Sequence, residues 1–301
     1  MRKFFVNPDV FYTPRISISP FSLNRMEESD NQSDPESTLK VLGSYLVYTN
    51  SAKDAIRLAM KSLQLQMDDK VGIFTTSENT YVSNCVTGTI SEFCSWEVNG
   101  APEMSSCLFL IHEFGALISE ERMKYFRSFS IPIINDFAYS FLSLYESGRI
   151  DFIDEINISS FPKSFNINFG GVLSPGKLAS IHCDDEKKNW ILNELKPCLT
   201  RRSIKENIHR RRINCLAYAS KLQKLGFEVV WIQDALVPGV CMLSPQRPTD
   251  LHGLKAFLQR NGIECSVFYG RNMFFIPVHQ YLTDTEIDYV CYMIGEFVKN
   301  D

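Results

Sequence analysis

The chain has 301 residues, and 31 Lys and Arg against 35 Asp and Glu leave a formal charge of −4. That length suits one large domain or two modest ones with a real core. A composition of 45% hydrophobic, 12% aromatic and 22% charged residues is that of an ordinary globular chain, which excludes gross disorder and fibrous structure. The slightly acidic balance gives no support to a general nucleic-acid-binding surface.

The opening Met1-Arg2-Lys3-Phe4-Phe5-Val6 breaks at Asn7-Pro8-Asp9, too soon for the apolar core of a signal peptide. Apolar runs elsewhere are strand-sized, as in Cys107–Ile111, and fall short of the roughly 18–20 residues that span a bilayer. No membrane partner is expected. Nine cysteines, at 85, 94, 107, 183, 198, 215, 241, 265 and 291, are odd in number and never in C-x-x-C spacing. They predict neither a zinc site nor a disulfide framework, but thiols in a reducing, cytoplasmic compartment.

Residues 1–43 lack periodicity and carry Pro8, Pro14 and Pro20. They read as an ordered lead-in with a flexible polar loop near 27–37. From residue 44 strands and helices alternate. Ser44–Tyr48 is strand-like and runs into a capping box at Ser51–Asp54 and an amphipathic helix with Ala55, Ile56, Ala59 and Met60 on one face. Lys70–Phe74, Cys107–Ile111, Ile131–Asn135, Asn157–Ser160 and Gly171–Ser174 are further strands, with a helix at Ser119–Phe129. The alternation predicts an α/β domain over 44–184 with a mostly parallel sheet flanked by helices. Beyond it, helices are expected at Asp185–Leu195, Ser203–Leu225, Asp250–Asn261 and Asp284–Lys299. Short strands are expected at Phe227–Ile232, Gly239–Ser244, Glu264–Phe268 and Met273–Ile276, which makes 185–301 a smaller α+β domain.

No G-x-G-x-x-G is present, so a dinucleotide-binding turn is unsupported. Gly171–Lys177 approaches a P-loop, but Leu178 stands where a Ser or Thr would hold Mg²⁺, and the segment reads as a strand and a turn bearing an exposed lysine. A second constellation carries more. Asp136 closes an apolar strand, Lys163 follows 27 residues later, and Ser51-Ala52-Lys53 opens a helix whose free N–H groups suit an anion. Taken singly, such an aspartate caps a turn and such a lysine is solvated. Together, a carboxylate, a lysine and a phosphate-binding helix start are the parts that pyridoxal phosphate (PLP) needs.

These residues sit in motifs that resemble the DegT/StrS group of fold-type-I, PLP-dependent aminotransferases, which act mostly on nucleotide-linked keto-sugars. Thr49–Ile56 is similar to the family's phosphate loop, and Thr80-Tyr81-Val82-Ser83 to its T-[WFY]-V-[AS] segment. His112–Gly115 matches H-x-x-G. Ile133–Ser140 is similar to I-E-D-x-A-H-[AS], and Ser160–Phe165 with Gly170-Gly171 to S-x-x-K-x-[LF] ending in G-G. Arg210–Asn214 resembles the R-R-x-N segment that opens the small domain's long helix, and Asn261–Ile263 and Ile276–Thr283 resemble its C-terminal motifs.

The resemblance implies that Lys163 bears the cofactor and shuttles a proton, and that Asp136 pairs with the pyridine nitrogen. It places Tyr81 over the ring, Ser160 and the Ala52-Lys53 backbone at the phosphate, and Tyr139 near the phenolic oxygen. It further implies a keto-sugar or related carbonyl acceptor, an amino donor such as glutamate, and a homodimer. On the residues alone, Tyr81 can also be read as a core aromatic and Ser160 as a strand-end hydroxyl. Ala52-Lys53 stands for the usual Gly-Thr, Tyr139 for His or Gln, and Asn135 for an acid. The N-x-R-M loop of longer relatives is not found, and Arg201-Arg202 reads as a solvated helix start. His112 and His209 read as structural. A catalytically degenerate homologue acting as a binding or regulatory protein, and a PLP-dependent lyase or dehydratase, remain open. Lys163 argues against the dehydratase branch, which has histidine there.

Overall fold

Helix caps and buried apolar runs set the order of elements in this computed structural model, which describes residues 15–21, 35–177, 181–230 and 237–300. The larger part comprises α1 (Pro35–Leu39), β1 (Val47–Thr49), α2 (Ala52–Ser62), β2 (Lys70–Thr75), α3 (Asn84–Ile90), β3 (Ser95–Val98) and β4 (Cys107–Ile111). It continues with α4 (Glu120–Arg127), β5 (Ile133–Asp136), α5 (Phe141–Ser147), β6 (Ile156–Ser160), the single turn α6 (Phe161–Ser164) and β7 (Gly171–Ser174). Then come α7 (Asp185–Leu195), α8 (Arg201–Leu222), β8 (Phe227–Val229), β9 (Cys241–Pro245), α9 (Leu251–Arg260), β10 (Ser266–Phe268), β11 (Met273–Ile276) and α10 (Asp284–Asn300).

The first seven strands form one sheet in the order β1-β7-β6-β5-β4-β2-β3. Pairing is parallel from β3 through β2, β4 and β5 to β6, while β7 runs antiparallel to both β6 and β1. The expected α/β class with a mostly parallel sheet is what forms. Alternation along β4 shows why. Leu108 and Leu110 face one buried core while Cys107 and Phe109 face the other, so helices cover both sides. The second sheet, β10-β11-β9-β8, is antiparallel throughout and packs on α8, α9 and α10 through Tyr218, Leu254 and Ile294. Helix α8 joins the two cores, with Ile204 and Ile208 in the first and Cys215, Tyr218 and Leu222 in the second.

The boundaries differ from expectation in identifiable places. The first strand starts at Val47 rather than Ser44, and β5 at Ile133 rather than Ile131. Edge strand β3 is absent from the sequence reading because three of its four residues are exposed and supply no apolar signal. The polar stretch near 27–37 lies outside the described residues up to 34, but Pro35-Glu36-Ser37 opens α1 instead of a loop, with Thr38 and Leu39 buried behind it. The end of the strand expected at Phe227–Ile232 also lies outside the described residues. Arg210–Asn214 does not open the long helix. That helix starts at Arg201, where Thr200 accepts the Ser203 N–H at 2.9 Å, and it ends past Leu222 in a short 3₁₀ turn closed by Gly226 at φ 82°.

Candidate active site

Four parallel strands end on one edge of the large sheet, so Thr75, Ile111, Asp136 and Ser160 open onto a common space. With the facing α9–β10–β11 wall they enclose a cleft of about 700 Å³. Lys163, Asp136, Tyr81 and Ser160 line it, as do Ala52, Lys53 and Tyr139. Residues spread over 112 positions of sequence are therefore brought to one cavity.

The first turn of α2 forms one end. Ser51 accepts the Asp54 N–H at 3.2 Å and donates to its carboxylate at 2.8 Å, closing the capping box. The N–H groups of Ala52 and Lys53 stay outside that cap and carry the positive end of the helix. Gly171 makes the approach possible. A Cβ there would sit 2.6 Å from Ala52 N and Ser51 C, so only glycine lets α2 begin directly over β7.

Asp136 ends β5 with its side chain buried, and its Oδ1 accepts the Ala138 N–H at 2.8 Å. No ion pair joins it to a lysine or arginine among the described residues. Burial raises its titration from 3.8 to about 6 against that one hydrogen bond.

Lys163 lies on α6, immediately after β6. Its Nζ is 4.8 Å from the centroid of the Tyr139 ring, close enough for a cation–π contact. Burial works against the ammonium, but the Tyr139 oxygen, Glu264 and Cys85 together outweigh it and hold Lys163 above the ordinary lysine value. Arg211 of α8 is buried behind it, donating from Nη2 to the Lys163 carbonyl at 2.9 Å and from Nε to Gln280 Oε1 at 2.8 Å. Its burial, opposed by the Tyr139 oxygen, lowers the guanidinium to about 10.

Tyr81 is 53% exposed and tilts against Tyr269, with centroids 4.7 Å apart. Sequence reasoning missed the facing wall. Lys255 donates to the Tyr269 hydroxyl at 3.1 Å, and Phe114 packs between Tyr139, Phe268 and Phe275. Phe114 adopts φ 49°, a strained conformation for a bulky residue, in the 3₁₀ turn that follows β4. Its neighbour Glu113 is buried in the cleft wall and accepts the Ser77 N–H at 2.8 Å; desolvation leaves its carboxyl above the usual range. The H-E-F-G strand end was the one local signal for this pair. The lysine and tyrosine come from a distant lobe and had none.

Under the cleft, His112 is structural, as read. Its Nδ1 accepts the Ile118 N–H at 3.0 Å, which puts the proton on Nε2, 3.2 Å from Asn135 Oδ1. Asn135 in turn donates to Glu155 and Asn157, so its amide both accepts and donates. Stacked 4.2 Å from Phe137, His112 is held neutral by burial down to about pH 3. His209 is exposed on α8, and Arg201 and Arg202 are exposed at its start. Lys177, at the end of the P-loop-like stretch, is 76% exposed and paired with Asp154, the turn lysine that was expected. Among the described residues no cluster of His, Cys, Asp and Glu could hold a metal ion.

No family model and no curated protein matches the chain. Solved structures do. DesV of S. venezuelae shares 14% identity over 88% of each chain with a TM-score of 0.60. NtdA of Bacillus subtilis, solved with bound cofactor PMP, shares 14% identity over 90% of this chain and 78% of its own, with a TM-score of 0.62. A DegT/DnrJ/EryC1/StrS aminotransferase from Brucella abortus shares 13% identity over 87% of this chain and 89% of its own, with a TM-score of 0.60. At such identity the likeness is one of fold: the chain has the fold of these solved aminotransferases.

Proposed function

We propose that the chain is a PLP-dependent aminotransferase that transfers an amino group from a donor such as glutamate to a nucleotide-linked keto-sugar or related carbonyl compound. The observation that carries the reading is the convergence of Lys163, Asp136 and the open α2 start on one cleft. The residues fit the cofactor on their own chemistry. Asp136 is a buried carboxyl without a cation among the described residues, and a protonated pyridine nitrogen would supply one. Gly171 leaves the helix start bare for a phosphate.

When bound, PLP supplies an aldehyde carbon and an electron-accepting ring. The protein's own groups do the rest. Lys163 Nζ would hold the cofactor covalently until the donor's amine displaces it, and the freed ε-amine would then carry a proton between the donor's α-carbon and the cofactor's C4′ carbon. Asp136 would keep the ring nitrogen protonated. Ala52, Lys53 and Ser160 would bind phosphate, Tyr81 would cover the ring and exclude water, and Tyr139 would sit beside the phenolic oxygen. The aminotransferase structures of the same fold support this, NtdA with its PMP above all.

The reading includes a homodimer of two-domain subunits, 44–184 and 185–301, in the cytoplasm. All nine cysteines are free thiols, seven of them buried, in keeping with a reducing compartment. The test is a single-turnover assay that follows keto-acid release from glutamate. The parent chain should release one equivalent per cofactor and Lys163→Ala none, whereas full turnover by Lys163→Ala would refute the assignment.

A further inference from the structure

The lysine turn cannot hold itself. Helix α6 is four residues long, well short of a self-stabilising helix, and a helix end leaves its carbonyls without internal partners. Each of its four carbonyls is nonetheless satisfied. Phe161 O receives the Phe165 N–H at 2.9 Å. Pro162 O accepts from Ser19 Oγ at 2.6 Å, Lys163 O from Arg211 Nη2 at 2.9 Å and Ser164 O from Gln280 Nε2 at 3.0 Å. These three donors belong to the lead-in, to α8 and to the turn after β11, all outside the seven-stranded sheet.

The donors are themselves anchored. Arg211 Nε binds Gln280 Oε1 at 2.8 Å, and Asn214, one turn along α8, binds His279 O at 2.8 Å. The lead-in is tied to the segment before β10 by Ile18 N–H to Glu264 Oε2 at 2.7 Å and by Glu264 N–H to Ile16 O at 2.9 Å. Arg211 is fully buried and donates to Gln280, Lys163 and Pro238, with no carboxylate against it among the described residues. A buried guanidinium without a counter-charge is a costly core residue. Its planar fork, however, reaches acceptors on three segments at once, which a neutral amide cannot do.

We infer that Arg211 is a positioning residue for Lys163, which it clamps together with Gln280 and Ser19 so that the smaller lobe and the lead-in fix where the ε-amine projects into the cleft. The inference rests on the reading of Lys163 as the residue that bears the cofactor. A misplacement of about 1 Å at such a group lowers rates by up to about a hundredfold, so the clamp acts on the lysine's reaction rather than on affinity for the cofactor's ring and phosphate.

Arg211→Met, unbranched and uncharged, tests it with three readouts. The first is the rate at which PLP is captured on Lys163, trapped with borohydride and mapped by peptide. The second is the Kd of pyridoxine 5′-phosphate, which keeps the ring and phosphate but has no aldehyde. The third is acetylation of Lys163 relative to exposed Lys177 in the cofactor-free protein. The variant should capture PLP at least about tenfold more slowly while binding pyridoxine 5′-phosphate within about twofold of the parent, and the acetylation ratio should change at least about threefold. Capture at the parent rate, or equal losses of capture and of pyridoxine 5′-phosphate affinity, would overturn the assignment. Should Arg211→Met not fold, Arg211→Lys, which keeps the charge but loses the fork, is judged by the same criteria. If the parent chain itself captures no PLP, the cofactor reading falls. The acetylation ratio then decides alone, a change supporting the clamp and an unchanged ratio overturning it.

Discussion

Replacing Asp136 with asparagine should stabilise the cofactor-free chain at pH 8 and leave it almost unchanged at pH 4. The carboxyl titrates near 6 when folded against 3.8 in its ordinary state, because burial disfavours its charge. A raised acid pKa means that the folded form binds the proton more tightly, so stability falls as pH rises through this window. The loss is about 0.5 kcal/mol at pH 4, about 1.6 kcal/mol at pH 5 and about 3 kcal/mol by pH 8. Asparagine keeps an oxygen to accept the Ala138 N–H at 2.8 Å, so little else changes. Urea unfolding of both proteins across that range measures the difference directly. Saturating PLP should reverse the order, since a pyridinium beside Asp136 turns an isolated buried charge into a paired one. A variant less stable than the parent at pH 8, or a difference that does not vary with pH, would rule out a raised Asp136 pKa.

Gly171→Ala should weaken binding of PLP and of pyridoxine 5′-phosphate by at least about tenfold by titration, because its Cβ meets the α2 start at 2.6 Å and pushes aside the N–H groups proposed to bind the phosphate. His112 is neutral when folded and has a pKa lowered from 6.5 to about 3, so its contribution is intact above pH 6.5 and fades as pH falls toward 3. His112→Gln should therefore remove about 3 kcal/mol of the stability lost between pH 7 and pH 4, read as a flatter pH profile in urea unfolding. An unaltered slope would contradict that assignment.

Much of the fold was legible because its signals are local. Strand β4 is a five-residue apolar run bounded by polar residues, and α7 lies between an aspartate cap and Pro197, so both agree with the sequence reading to the residue. Helices α3 and α5, seven residues each, lacked a long enough period to register, and β3 is defined by pairing to β2 rather than by its own exposed side chains. The site divides the same way. Asp136 and Ser160 stand at strand ends and Ala52-Lys53 at a capped helix start, where chain order alone suggests a ligand. The clamp on Lys163 depends on contacts 48, 116 and 143 residues apart, and the Tyr269–Lys255 wall comes from another lobe. Such pairings exist only after folding.

Whether Lys163 carries PLP in this cleft can be read in one experiment. The purified protein is mixed with PLP, its absorbance recorded, and the adduct reduced with borohydride and mapped by peptide mass. The expected result is a new visible band that reduction abolishes, with one pyridoxyl group per chain on Lys163. No band, or label spread over surface lysines such as Lys177 with none on Lys163, would contradict it.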